Sequence, residues 1–213
     1  AFVAILNETT MGVAIPHLIG DLGITAVDAQ WLTTAFMLTM AVVIPTTGFL
    51  LNRFSTRAMF ATAMGLFSAG TFVALVAPGY EVLLVARVIQ ASGTAIMMPL
   101  LMTTVVMLVP DKQRGRLMGR IAIVISVAPA LGPTVSGLIL QWLSWRWLFI
   151  FVLPIALAAL IIGQLQAFGI LIFPKVTLLL VFALMAVVLV LRPQGLLGRP
   201  EAPSSRPTVP EGY

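Results

Sequence analysis

Residues 82–109 read VLLVARVIQASGTAIMMPLLMTTVVMLV, and Arg87 is the only charge among them. A helix rising 1.5 Å per residue needs about 20 apolar residues to cross the hydrocarbon core of a bilayer, so this run is long enough to span. It is continuous rather than alternating, which points to a transmembrane helix and away from the short striped strands of a membrane barrel. Working outward, further segments meet or approach the same length at roughly 1–19, 31–51, 58–77, 117–141 and 147–165, with the quoted helix at 82–109 between them. An extra hydrophobic helix is expected over 166–191, interrupted near its start by Pro174 and Lys175. From Arg192 to Tyr213 the chain reads RPQGLLGRPEAPSSRPTVPEGY, whose five prolines preclude a regular helix. That stretch is expected to be a disordered tail.

Composition points the same way. Of 213 residues, 60% are hydrophobic and 9% charged, with a mean hydropathy of +1.10, whereas a soluble domain carries about 25% charged residues. A polytopic all-α membrane protein is therefore expected, with the lipid bilayer as its first partner. The chain has no cysteine, which excludes disulfides, thiolate metal sites and cysteine nucleophiles. One histidine and seven acids leave little for metal centres or triad hydrolysis, so neither an enzyme nor a bound metal or cofactor is expected. The net charge of +5 is read through the positions of the cations, not as nucleic-acid affinity. The apolar run begins at Ala1 with no basic region and no small-residue cleavage site before it. The start thus reads as a truncated first helix and not as a signal peptide.

Cations retained in the cytoplasm fix orientation. The connection between spans two and three holds Arg53 and Arg57; that between spans four and five holds Lys112, Arg114 and Arg116, with Arg120 just inside the helix. The first and third connections carry only Asp21, Asp28 and Glu81, and the fifth only Arg146. These positions predict a membrane protein with a cytoplasmic N-terminus. Trp31, Trp142, Trp145, Trp147 and Tyr80 would then fall at the outer interface. A seventh crossing would put Arg192, Arg199 and Arg206 outside, against the same rule, so 166–213 is set apart from 1–165.

Two ionisable residues stand inside spans: Glu8 in the first and Arg87 in the fourth, with Gln90 one turn beyond the arginine. Charges at such depth are costly unless paired or wetted, which makes each a functional-site candidate. Shallower placements remain open at this point, with Glu8 at the interface and Arg87 snorkelling outward. A carboxyl in a low-dielectric cavity can carry a proton near neutral pH, and a nearby guanidinium affects when that proton leaves. Asn7, Thr9 and Thr10 are possible cavity polar groups, and His17 is assigned no chemistry. Close helix packing in lipid uses small residues. Ala61, Gly65 and Ala69 in span three, and Ala128, Gly132 and Ser136 in span five, recur at four-residue spacing. Beside the latter, Pro129, Pro133 and Gly137 predict a kinked, shaped helix.

With these residues in place, 5–163 resembles the N-terminal half of a major facilitator superfamily transporter, specifically the fourteen-span drug:proton antiporters that include lincomycin-resistance-type multidrug exporters. ILNETTMGVAIPHL (5–18) is similar to that group's span-one motif, which would make Glu8 the membrane acid, with Asn7 beside it. GFLLNRFSTR (48–57) occupies the place of the superfamily's cytoplasmic gating loop, with Gly48, Arg53 and Arg57 in its pattern. It departs from that pattern at Asn52, where Asp is usual, and Ser55, where Gly is usual. LLVARVIQASGTA (83–95) places Arg87 and Gln90 in the basic and polar positions of the span-four motif. APALGPTVSG (128–137) resembles the span-five antiporter motif, with Pro129, Gly132, Pro133 and Gly137 at its kink.

The resemblance implies a six-helix lobe built as a 3+3 inverted repeat, each triplet led by a helix with an intramembrane charge. It also implies proton-gradient-driven efflux of hydrophobic or cationic small molecules, and a second lobe or second copy to complete the cavity. Residues 166–200 resemble instead the end of a branched-chain amino-acid ABC permease, which implies a fusion, a rearranged gene or an assembly artefact. The competing functions are accordingly a subunit of such a permease, or a membrane fragment that transports nothing.

Overall fold

The computed structural model describes residues 2–172, with side chains over 2–165. Among them lie six helices and no strand: α1 (Phe2–Leu22), α2 (Ala26–Arg53), α3 (Thr56–Leu75), α4 (Tyr80–Leu108), α5 (Asp111–Trp142) and α6 (Arg146–Ile172). Each is long and apolar enough to cross a membrane. The chain divides into two units, Ala1–Leu165 and Gln166–Tyr213, and the packing described here is that of the first. The expected extra helix at 166–191 begins with the last residues of α6, which continues seven residues past the predicted end at 165. The remainder of that segment, and the tail from 192 to 213, lie outside the described residues.

The connections are short and locally specified. Gly23 takes a positive φ of 61° between α1 and α2, a conformation that costs glycine least. Thr25 and Asp28 then form a capping box. The Asp28 amide donates to the Thr25 hydroxyl oxygen at 3.1 Å, and the Thr25 amide donates back to the Asp28 carboxylate at 3.1 Å. This reciprocal cap starts α2 five residues before the expected 31. Ser55 caps α3 by accepting from the Ala58 amide at 3.2 Å, which gives a local role to the serine that departs from the loop pattern.

The largest difference from expectation is at α5. It starts at Asp111, not near 117, with the acid in the first turn, where the helix dipole favours it. Lys112, Arg114 and Arg116 therefore ride on a helix and not in a loop. Arg114 ties this turn down: it pairs with Asp111 at 2.7 Å and donates to the Val106 carbonyl at the end of α4 at 2.9 Å.

Two apolar clusters fill the lobe, one toward each end. One gathers Leu18, Leu32, Ala74, Leu83, Leu140, Trp145 and Phe149; the other gathers Ala4, Met59, Ala63, Phe67, Met97, Leu100 and Val152. Trp145, in the stretch expected at the outer interface, is packed inward. It is 1% exposed, edge-on to Phe149 at 6.1 Å, and covered by the Arg146 guanidinium, which donates to the Ala77 carbonyl at 3.1 Å. Trp31, Trp142 and Trp147 are exposed. Phe49, Ile123, Leu138 and Ile161 also stay exposed, as lipid-facing residues do.

Pairing of helices follows the triplet repeat. α1 packs chiefly on α5, and α4 packs on α2; shifting each number by three exchanges one pair for the other. The closest pair is α3 with α4. A cavity of about 360 Å³ lies among α1, α5 and α6, lined by Leu6, Thr10, Leu138, Leu148 and Ile155 among others.

The α3–α4 contact corrects the small-residue stripe expected in span three. Ala69 is exposed, Ala61 and Gly65 are only half-buried, and a Cβ on Gly65 would touch nothing within 4 Å. The buried stripe is Ala63, Phe67, Gly70, Thr71 and Ala74. A Cβ on Gly70 would stand 2.6 Å from the Gln90 amide nitrogen, and one on Gly93 would run into the Ala63 carbonyl and stand 2.6 Å from the Phe67 nitrogen. Each helix thus presses a glycine against the other's backbone. Gly70→Ala or Gly93→Ala should lower thermal stability in detergent by about 1–3 kcal/mol through overpacking. Gly65→Ala should leave it unchanged or slightly raised, because alanine is the better helix former.

Candidate functional site

The glycine contact at Gly70 sets Thr71 opposite Gln90, and from there a polar chain runs to Arg87. The Thr71 hydroxyl donates to the Phe67 carbonyl at 2.7 Å. Gln90 donates from Nε2 to the Thr71 oxygen at 2.8 Å, and its Oε1 accepts from an Arg87 terminal nitrogen at 2.6 Å. Thr71, Gln90 and Arg87 are all 0% exposed. The guanidinium carbon sits 4.1 Å above the centroid of Phe36 on α2, itself fully buried. Three helices therefore enclose one cation: α4 supplies it, α3 holds it through Gln90, and α2 stacks an aromatic face on it.

Arg87 keeps donors to spare. Its Nε and its other terminal nitrogen have no hydrogen-bond partner among the described residues. An unsatisfied buried donor is costly, so this cation is set up to receive an acceptor. Glu8 on α1 is half-buried and lies close enough for the two charges to act on each other, yet the two form no ion pair within 4.0 Å; among the described residues the salt bridge is Arg114–Asp111. Asn7, beside Glu8, is 2% exposed, and its amide nitrogen is also without a partner.

α5 supports α1 beside the acid. Its buried residues are Ala128, Gly132, Ser136 and Leu140, one per turn along a single face. A Cβ on Gly132 would collide with the Thr9 hydroxyl and meet the Leu6 carbonyl, so this glycine lets α5 reach the turn that carries Glu8. Thr9 itself donates to the Leu6 carbonyl at 2.9 Å. Pro129 and Pro133 point away from that face and are exposed, Gly137 is half-buried, and the helix runs unbroken through both prolines. The gating-loop residues Gly48, Asn52, Arg53 and Arg57 are all exposed at the other bend of the chain, apart from the Arg87 cluster. His17 is exposed as well.

Against this architecture the chain matches the family model described as Major Facilitator Superfamily over residues 1–209. It belongs to that superfamily. The match runs past 163, where the resemblance was expected to end, and through 166–200, where a permease end was expected. Among curated relatives, the MFS-type transporter YcnB of Bacillus subtilis is 50% identical over 165 residues, covering 78% of this chain and 35% of the relative. The lincomycin resistance protein LmrB of Listeria monocytogenes is 40% identical over 180 residues, 84% of this chain and 38% of that protein. A multidrug resistance protein B homolog of Mycobacterium tuberculosis is 31% identical over 163 residues, 76% of this chain and 30% of the homolog. The chain spans about a third of the length of these relatives. As a member of this superfamily it is a multi-pass membrane protein of a transporter family that acts on small molecules.

Sequence reasoning placed Arg87 and Gln90 together but missed Thr71, Phe36, Gly70 and Gly93. Small residues at 63, 70 and 74 carry the period that would have revealed the α3 face; Phe36 carries no such mark among its apolar neighbours. If Gln90 holds the guanidinium through Thr71, Gln90→Leu should destabilise the protein by about 1–3 kcal/mol, the cost of a buried donor losing its acceptor. Thr71→Val should cost about 1 kcal/mol alone and much less in the Gln90→Leu background, a coupling that a double-mutant thermal-unfolding cycle measures.

Proposed function

We propose that the six helices form the N-terminal lobe of a proton-coupled exporter of hydrophobic or cationic small molecules, in which Glu8 carries the proton and Arg87 is the fixed cation that governs its release. The observation that carries this reading is the fully buried Arg87 with two unpartnered nitrogens, in the same helical unit as a half-buried acid with which it forms no ion pair. Approach of Glu8 to the guanidinium favours the carboxylate and expels the proton. Separation, or competition from a bound substrate, favours the protonated acid. A two-position acid coupled to lobe motion supplies what exchange requires, and the resistance names of the relatives support outward transport.

The substrate cavity of this reading lies between two lobes, so a second lobe or a second copy completes it. Gly132 would let α5 move with α1 while Arg53 and Arg57 line the gate at the cytoplasmic surface. In cells that carry this lobe with its complement, Glu8→Gln should abolish drug export driven by a pH gradient while equilibrium drug binding persists. Undiminished export would remove Glu8 from the coupling. The chain reconstituted by itself should show no proton-driven export; robust export abolished by Glu8→Gln would instead establish a dimeric half-size transporter.

Orientation is part of the same proposal, with the N-terminus in the cytoplasm. Because the chain has no cysteine, single replacements report it directly. In intact bacterial cells a membrane-impermeant maleimide should label Gly79→Cys and spare Ser55→Cys. The reverse pattern would invert the topology.

A further inference from the structure

α4 and α5 are joined by a turn of two residues, Val109 and Pro110, yet they make little contact with each other. α4 packs on α2 and α3, while α5 packs on α1. Between them, at the end of the bundle where the cations gather, a crevice of about 470 Å³ is left open. Its walls are of two kinds: Leu108, Val109 and Leu117 are apolar, whereas Gln113, Arg116 and Arg120 are polar or cationic.

The arginines at this turn are not equivalent. Arg114 is committed to Asp111 and to the carbonyls that end α4. Arg116 and Arg120 make no hydrogen bond or ion pair with the described residues, and the one nearby acid, Asp111, already serves Arg114. At four-residue spacing the two guanidiniums share one helix face, and both border the crevice. We propose that this crevice binds one anionic phospholipid, with Arg116 and Arg120 holding its phosphate and Leu108, Val109 and Leu117 taking the first part of an acyl chain.

Guanidinium groups match phosphate oxygens in paired, charge-assisted hydrogen bonds. At a helix end the long arginine stem covers apolar surface while its head reaches the level of the lipid headgroups. Basic pockets between transmembrane helices suit anionic headgroups. A zwitterionic lipid would bring an ammonium group against two unpaired cations. A free phosphate would leave the apolar wall bare, with Leu108 already 76% exposed. Both are therefore poorer occupants than a lipid of net negative charge.

The test uses the full chain in neutral detergent, titrated with phosphatidylglycerol, phosphatidylcholine or inorganic phosphate, and reads bound lipid by native mass spectrometry. The expected result is a phosphatidylglycerol adduct favoured several-fold over phosphatidylcholine. That preference should be lost in the Arg116→Gln/Arg120→Gln double variant and kept in Arg53→Gln/Arg57→Gln, which removes equal charge from the same end. Equal loss in both variants would reduce the effect to general surface charge and overturn the proposal, as would displacement of the adduct by inorganic phosphate or the absence of any preference. A second measurement leaves the arginines untouched. A fluorophore at Leu108→Cys should be quenched by phosphatidylglycerol nitroxide-labelled near the top of its acyl chain several-fold more than by the matching phosphatidylcholine; equal quenching would likewise overturn the site.

Discussion

A guanidinium removed wholly from water needs compensation, and α2, α3 and α4 meet to supply it. Arg87 receives one acceptor from Gln90 and an aromatic face from Phe36. Gln90 in turn is anchored by Thr71 across the α3–α4 seam. That hydrogen bond forms only because Gly70 and Gly93 let the two backbones come together. Hydrophobic force between helices is weak in lipid, so close van der Waals approach and interhelical hydrogen bonding carry the association. Here both occur at the same seam.

α1 and α5 build the opposite side of the site by the same means with different residues. Gly132 admits the Thr9 hydroxyl and the Leu6 carbonyl, and Thr9 satisfies its own proton on the α1 backbone. The acid next to it is thus presented by a helix whose threonine hydroxyls are internally occupied, while Asn7 keeps an unpartnered amide nitrogen. Glu8 is only half-buried and has an environment distinct from that of Arg87. That difference underlies the assignment of a mobile proton to one and a fixed charge to the other.

Much of this was legible in the sequence, because spans in lipid are set by length and apolarity and those read directly. The existence and approximate place of the six described helices, and the positions of the interior charges, came from that reading. Ends were less legible: α2 starts early because Thr25 and Asp28 cap each other, and α5 starts early because Asp111 and Arg114 secure a turn that composition alone marks as a loop. The span-three stripe was misplaced because alanine and glycine are plentiful on every face of that helix, and spacing cannot tell which face meets a partner. Gly70 differs from Gly65 only in what stands opposite it. The enclosure of Trp145 was illegible for a related reason. Its neighbours Trp142 and Trp147 are exposed, and only the arrangement of Arg146 over the ring reveals that it is covered.

The glycine seam has a mechanical consequence. Gly70 and Gly93 set the α3 and α4 backbones against each other, and closely packed matter passes displacement on without absorbing it. A push delivered through α3 would therefore reach Gln90, and the arginine it holds, nearly undiminished. The two helices would behave as one lever.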